Sequence, residues 1–170
     1  MYKSTEAGVT DRSAISDVFT VADEILKTAK REGLRLTPMQ LVKLAYIAHG
    51  WSLAIMGRPL FSEPVEAWKY GPVIPALYHA TKHHGRNPIP SELIDEEAES
   101  PLTERVRSFL EDFVKKYGRL SGVALSSLTH RHGTPWHQVY RKGVGNIPID
   151  DARIAAHYKQ KLDEYRNSAS

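Results

Sequence analysis

The sequence predicts a mostly α-helical protein, a single compact multi-helix domain with a small two-stranded β-ribbon around residues 58–68. Three observations lead there. Apolar residues recur at steps of three and four along most of the chain, which gathers them on one face of a helix. Threonine-proline and aspartate starts and glycine stops bracket those stretches. The 170 residues are 41% hydrophobic and 25% charged, ordinary for one globular domain with a sizeable core. The organisation that follows is a flexible tail over 1–12, one domain over 13–166 with an acidic linker at about 88–100, and a short tail over 167–170.

The first helix is set by Ile15, Phe19, Ala22, Leu26 and Ala29, with Asp23, Glu24, Lys27 and Lys30 on the outside and Gly33 as its stop. The second begins at Thr37-Pro38. A threonine hydroxyl accepts from an orphan backbone N–H, and proline suits the first helical position because no N–H is needed there. Leu41, Leu44, Ala48, Trp51 and Ile55 form its inner stripe, and Gly50 within it implies a close-packed neighbour. Pro59, Pro64, Gly71 and Pro72 then forbid a continuous helix. Leu60-Phe61 and Val65 to Trp68 are the expected ribbon. Helical spacing resumes at Ile74, Leu77 and Tyr78 and stops at Gly85. Another helix is expected to start at Ser100-Pro101, to bury Val106, Phe109, Leu110, Phe113 and Tyr117, and to close at Gly118. Two short helical pieces follow, the second from Thr134-Pro135. The last starts near Asp150-Asp151, acids placed at the positive end of a helix dipole, and buries Ile154, Tyr158, Leu162 and Tyr165.

Charge and composition narrow the function classes. No cysteine is present, which removes disulfides, a thiol nucleophile and cysteine-based zinc sites and fits a reducing cytosol. No segment approaches the ~18 apolar residues of a membrane span, and the N-terminal stretch lacks a signal-like apolar run; the expectation is a cytoplasmic protein. Net charge is only +3, but it is unevenly spread. Ser91 to Ser100 carries acids and no base, a solvated linker. Lys115 to Lys142 carries Lys and Arg and no acid, the one feature that keeps nucleic-acid binding open.

Motifs for catalysis are missing. Among eight histidines, His79 and His83 share a predicted helix face, and His130, His132 and His137 cluster. Yet "HATKH" lacks the glutamate of a zincin helix, and no carboxylate offers itself as third ligand. There is no nucleophile elbow, P-loop or dinucleotide fingerprint. The expectation is therefore no enzyme, no metal and no cofactor, with binding as the available activity.

What remains is a set of aromatics. Trp51 lies on a core stripe, and Trp136 is expected to lie as a lid on the core. Trp68, Lys69 and Tyr70, directly before Gly71-Pro72, admit two readings. A buried Trp or Tyr finds a partner for its N–H or O–H at a turn with free carbonyls. Partly exposed, the same residues are interface anchors.

Several blocks, in order, resemble the Panacea domain, the SocA-like antitoxin family. They are Leu41-Val42-Lys43-Leu44-Ala45-Tyr46, Gly57-Arg58-Pro59-Leu60-Phe61, Ala67-Trp68-Lys69-Tyr70-Gly71-Pro72-Val73, and Leu128-Thr129-His130 followed by Pro135-Trp136. Val42 and Ala45 depart from the glutamine and leucine frequent in the family. The resemblance spans about Val21 to Trp136. It implies a largely helical antitoxin, of a family common in phages and prophages, that neutralises a protein toxin encoded by an adjacent gene. One studied member type also hands its toxin to a Clp-type protease. With it, the block from Trp68 to Val73 is expected to be chiefly architectural, its aromatics packing onto the Leu41 to Ile55 helix. Partner choice then falls to exposed positions, with His83, His84, Arg86, Arg119, Arg131, Tyr140, Arg141 and Lys142 as candidates. Two competing classes are a DNA-binding (auto)regulator and a hydrolase or metal enzyme built on the histidines. The first wants a basic recognition helix, which is not evident.

Overall fold

The structure, a computed structural model, describes residues 13–169; the tail expected over 1–12 lies outside them, as does Ser170. The chain runs α1 (Val18–Arg31), α2 (Pro38–Ile55), β1 (Glu66–Trp68), β2 (Gly71–Val73), α3 (Pro75–Thr81), α4 (Glu104–Tyr117), α5 (Gly122–Thr129), α6 (Pro135–Val139), β3 (Ile147–Pro148) and α7 (Asp151–Ser168). Single 3-10 turns occupy Lys82–His84 and Ser91–Leu93. It is the mostly helical domain that the spacing predicts.

The helix starts follow from capping chemistry. Thr37 and Gln40 form a reciprocal capping box ahead of Pro38, which satisfies two donors that the helix itself leaves orphaned. Asp17, Ser121, Thr134 and Asp150 each accept a backbone N–H from the first turn of α1, α5, α6 and α7. The fourth helix starts later than Ser100-Pro101. Thr103 caps it by accepting the Val106 N–H, while Ser100 holds only a local turn through the Leu102 N–H.

α2 is the axis of the fold. Every residue from Leu41 to Gly50 is buried, and α1, α3, α4, α5 and α7 all pack on it. The stripe expected for a surface helix therefore understates it. The predicted close neighbour of Gly50 is Tyr158 of α7. A β-carbon at Gly50 would stand 2.3 Å from the Tyr158 ring, so the two longest helices meet at a contact that only glycine allows. Further along, Ile55, Tyr78 and Tyr165, all expected inside, are exposed: Ile55 and Tyr165 lie in the last turns of α2 and α7, and Tyr78 packs edge-on against Trp68 at the surface. α7 continues through Ser168, into the stretch expected to be a tail.

α1 also departs from its expected face. Phe19 is exposed, whereas Glu24 and Lys27 are buried. The acidic segment is the reason: it lies across α1 instead of floating free. Lys27 donates to the Ala98 carbonyl at 3.1 Å and pairs with Asp23 at 3.1 Å. Lys30 donates to the carbonyls of Ser91 and Ile94 at 3.2 and 3.0 Å. Ile89 and Ile94 are buried beneath, while the acids themselves face outward or sit half-buried. The linker is solvated in its side chains and anchored in its backbone.

The sheet differs from the expected ribbon. Leu60-Phe61 is buried but unpaired in any strand. β1 pairs instead with β2, with Glu66 opposite Val73 and Trp68 opposite Gly71, and with β3, with Ala67 opposite Ile147. The order β2-β1-β3 is antiparallel throughout. The tight turn is thus Lys69-Tyr70, and Gly71-Pro72 belongs to an edge strand, where a missing N–H is tolerated.

Candidate functional site

The β1–β2 turn is held by its own carbonyls. Trp136 of α6 donates its indole N–H to the Trp68 carbonyl at 2.6 Å. The Tyr70 carbonyl accepts from Ser126 Oγ of α5 at 2.7 Å and from Lys43 Nζ of α2 at 3.2 Å. Lys43 also donates to the Pro72 carbonyl at 2.9 Å. Four elements distant in sequence meet in one clasp. Gly71 is indispensable to it: its φ is +117°, and a β-carbon there would stand 2.8 Å from Lys43 Nζ. Behind the clasp, Thr129 returns its hydroxyl to the Leu125 and Ser126 carbonyls, and His130 contacts the Ser126 carbonyl and meets Trp136 edge-on at 5.2 Å. Pro135 opens α6 and orients Trp136. Leu41, Leu44, Tyr46 and Val73 are core. The Tyr46 hydroxyl has no partner among the described residues, and burial raises its pKa well above the usual phenol value. Trp51 is half-buried and donates to the Tyr117 hydroxyl at 3.0 Å.

Lys43 is the unusual charge. Its residue is 4% exposed, and among the described residues its side chain bonds to two main-chain carbonyls and pairs with no carboxylate. Burial lowers its pKa to about 8, because a desolvated ammonium without a counter-ion is disfavoured.

The aromatic side chains of the turn do something different from its backbone. Tyr70 is 66% exposed, so its ring does not pack on α2 as expected. Trp68 is half-buried; its indole N–H goes to Glu66 and its ring meets Tyr78 edge-on at 5.0 Å. Together with Pro38, Met39, Val42, Lys43, Lys69, Val73, Tyr78, Lys82 and Gly85, these two aromatics line a cleft of about 390 Å³. Its walls are apolar, three lysines line it, and no acid among the described residues does. A second cleft of about 390 Å³ lies at the other end of α2. It is lined by Trp51, Ile55, Phe109, Asp112, Phe113, Lys116, Tyr117, Leu162 and Tyr165.

The residues proposed for partner contact do not come together. His83 and His84, with rings 4.0 Å apart, and exposed Arg86 flank Gly85 at the rim of the first cleft. Arg119 is exposed in the α4–α5 turn, and Arg131 in the α5–α6 turn. Tyr140 is half-buried and stacks on Trp136 at 4.6 Å; Arg141 donates to the Tyr140 carbonyl, and Lys142 is exposed. Sequence reasoning missed Met39, Lys69 and Lys82 as cleft residues. One signal was present: Met39 is an apolar residue just inside a helix start, off the inner stripe. His79 and His83 do not share a helix, since α3 ends at Thr81, and no group of three or more potential metal ligands occurs among the described residues.

The model of the antitoxin SocA-like, Panacea domain family matches residues 41–137. That span begins at Leu41 on α2 and ends just past Trp136, so it contains the whole clasp and leaves α1 and α7 outside. The chain is also 31% identical, over 137 residues, to antitoxin SocA of Caulobacter vibrioides (strain NA1000 / CB15N), covering 76% of this chain and 72% of that protein. No solved structure matches. With three of its four signature blocks joined in one clasp and the family model matched over more than half its length, the chain belongs to the antitoxin SocA-like, Panacea domain family.

Proposed function

We propose that this protein is an antitoxin that neutralises a toxin, the product of an adjacent gene, by direct binding and without a catalytic step of its own. The observation that carries the reading is the family match over residues 41–137. The apolar, lysine-lined cleft beside the clasp supports it, since apolar concave surface with exposed aromatics is what protein partners use. A cytoplasmic setting is part of the proposal; no described helix is long and apolar enough to cross a membrane. Handing the toxin to a Clp-type protease, which the resemblance implies for one member type, extends the same reading. The competing regulator has less support. The acid-free basic residues are spread over α4 and three separate connections, and neither α5 nor α6 contains a Lys or Arg to serve as a recognition helix.

Co-expression tests the proposal. The adjacent gene product, toxic alone, is expected to become harmless with this protein and to co-purify with it. Rescue without a complex, or with transcript levels alone changed, would replace neutralisation by binding with repression or chemical detoxification. Loss of the toxin that depends on both this protein and the protease would add the adaptor role.

A further inference from the structure

The first cleft has a charge problem that the described residues do not solve. Lys43 forms its floor, and Lys69 and Lys82 line it. An ammonium has three protons, and Lys43 places two of them on the carbonyls of Tyr70 and Pro72. The third has no acceptor among the described residues. Glu66 on β1 accepts the Trp68 indole N–H and does not line the cleft. Lys69 lies 5.3 Å from the centre of the Tyr70 ring, with no carboxylate partner among the described residues. The walls offer exposed apolar surface that no described element covers: Met39 is 47% exposed, beside Tyr70 and Tyr78.

We infer that this cleft seats an extended segment of the partner toxin in which an aromatic or branched apolar side chain stands next to an aspartate or glutamate. The apolar side chain enters between Met39, Trp68 and Tyr78, and the carboxylate meets the lysines. Charge complementarity selects this occupant: a basic or purely apolar segment would leave the cationic lining uncompensated, and burying uncompensated charge is costly. The inference rests on the reading of the protein as a toxin-binding antitoxin, and it locates that binding in the cleft beside the clasp. Lys43 belongs to both; the other cleft side chains are ones that the clasp leaves over.

Two experiments separate the cleft from the function. In the first, Lys69→Glu, Lys82→Glu and Tyr70→Ala variants are co-expressed with the toxin and their complexes titrated. All three side chains are exposed, so melting temperatures should stay within about 2 °C of wild type. Each charge reversal is expected to weaken binding by about tenfold or more. Wild-type rescue with unchanged binding by all three variants overturns the inference and leaves the antitoxin reading standing. The second needs no toxin: wild-type protein is panned against random heptapeptides displayed on phage, with Lys69→Glu/Lys82→Glu as the counter-selection. Enriched peptides should pair an aromatic or branched residue with Asp or Glu and lose binding to the double variant. Basic peptides, or none that distinguish the two proteins, overturn it. So does a wild-type dimer that Tyr70→Ala dissolves, which would put a second copy of the chain in the cleft.

Discussion

The two clefts at opposite ends of α2 have the same volume, about 390 Å³ each, and opposite electrostatic economies. In the one near the end of α2, the lysine is internally compensated. Lys116 lies 5.5 Å from the Tyr117 ring centre and 4.9 Å from that of Tyr165, and Asp112 lines the same cleft. Trp51 and Tyr117 satisfy one another. At the clasp, the lysines have carbonyls or a single ring face and no acid among the described residues. Equal apolar volume therefore does not mark an interface. What distinguishes the clasp cleft is that no acid among the described residues balances its charge.

Trp136→Ala breaks this arrangement most severely. The side chain is buried, stacks on Tyr140, and donates its indole N–H to the Trp68 carbonyl. Truncating a buried aromatic costs about 3–5 kcal/mol, and the lost indole hydrogen bond adds to it. Denaturant titration should show that loss. A cost under about 1 kcal/mol would mean that α6 is not what holds the turn.

Next in size is a pH effect at Lys43. Burial lowers its folded pKa to about 8 from 10.5. Below pH 8 the ammonium is charged in both states, and its desolvation penalty is fully present. Between 8 and 10.5 the unfolded chain binds the proton more tightly, so stability from this residue rises with pH, by up to about 3 kcal/mol. Tyr46 and Tyr158 are both shifted upward by burial and complicate wild type alone. They are common to wild type and Lys43→Met and largely cancel in the difference. That difference, measured by denaturation at pH 7, 8.5 and 10, should move steadily in favour of wild type. A difference independent of pH would show that Lys43 is solvated or compensated in the folded protein. A partner carboxylate should also raise the Lys43 pKa, so complex formation is expected to take up protons near pH 8–9.

Gly71→Ala should cost somewhat less, about 1–3 kcal/mol. It forces a side chain into a φ of +117° and brings a β-carbon to 2.8 Å from Lys43 Nζ. Lysine can give way, so part of the cost is expected to vanish in the Gly71→Ala/Lys43→Met double variant. Additive single effects would mean that backbone conformation alone sets the penalty.

How much of this was legible depended on where the information sits. Helix starts at Thr37, Thr134 and Asp150 were readable because a cap is local, one side chain meeting an N–H two or three residues on. The partnership of Gly50 with a neighbour was readable in kind but not in identity. The pairing of β1 with β3 spans some eighty residues and leaves no periodic trace in segments this short. Lys27 and Lys43 were unreadable as buried groups, since a lysine in a helix ordinarily faces water. Both are held by main-chain carbonyls, and a carbonyl acceptor has no residue type by which to recognise it. For the same reason the motif from Trp68 to Val73 was visible as a motif, while its division into an inward backbone and outward rings was not.

The smallest predicted effect is the sharpest test of the comparison. Tyr165 is 63% exposed, and its ring takes part in the second cleft beneath Lys116. Removing it by Tyr165→Ala forfeits one exposed cation–π contact and some helix-surface packing, together about 0.5–1 kcal/mol. Tyr70 is equally exposed, and Tyr70→Ala should cost no more in stability, because its carbonyl keeps both donors. In folding terms the two substitutions are twins. In binding terms they should part: toxin affinity is expected to fall for Tyr70→Ala and stay within error for Tyr165→Ala. Calorimetric titration of both against the same toxin decides it. Equal losses would mean that both apolar clefts contact the partner, and that charge compensation does not separate a surface kept for the fold from one left open for another protein.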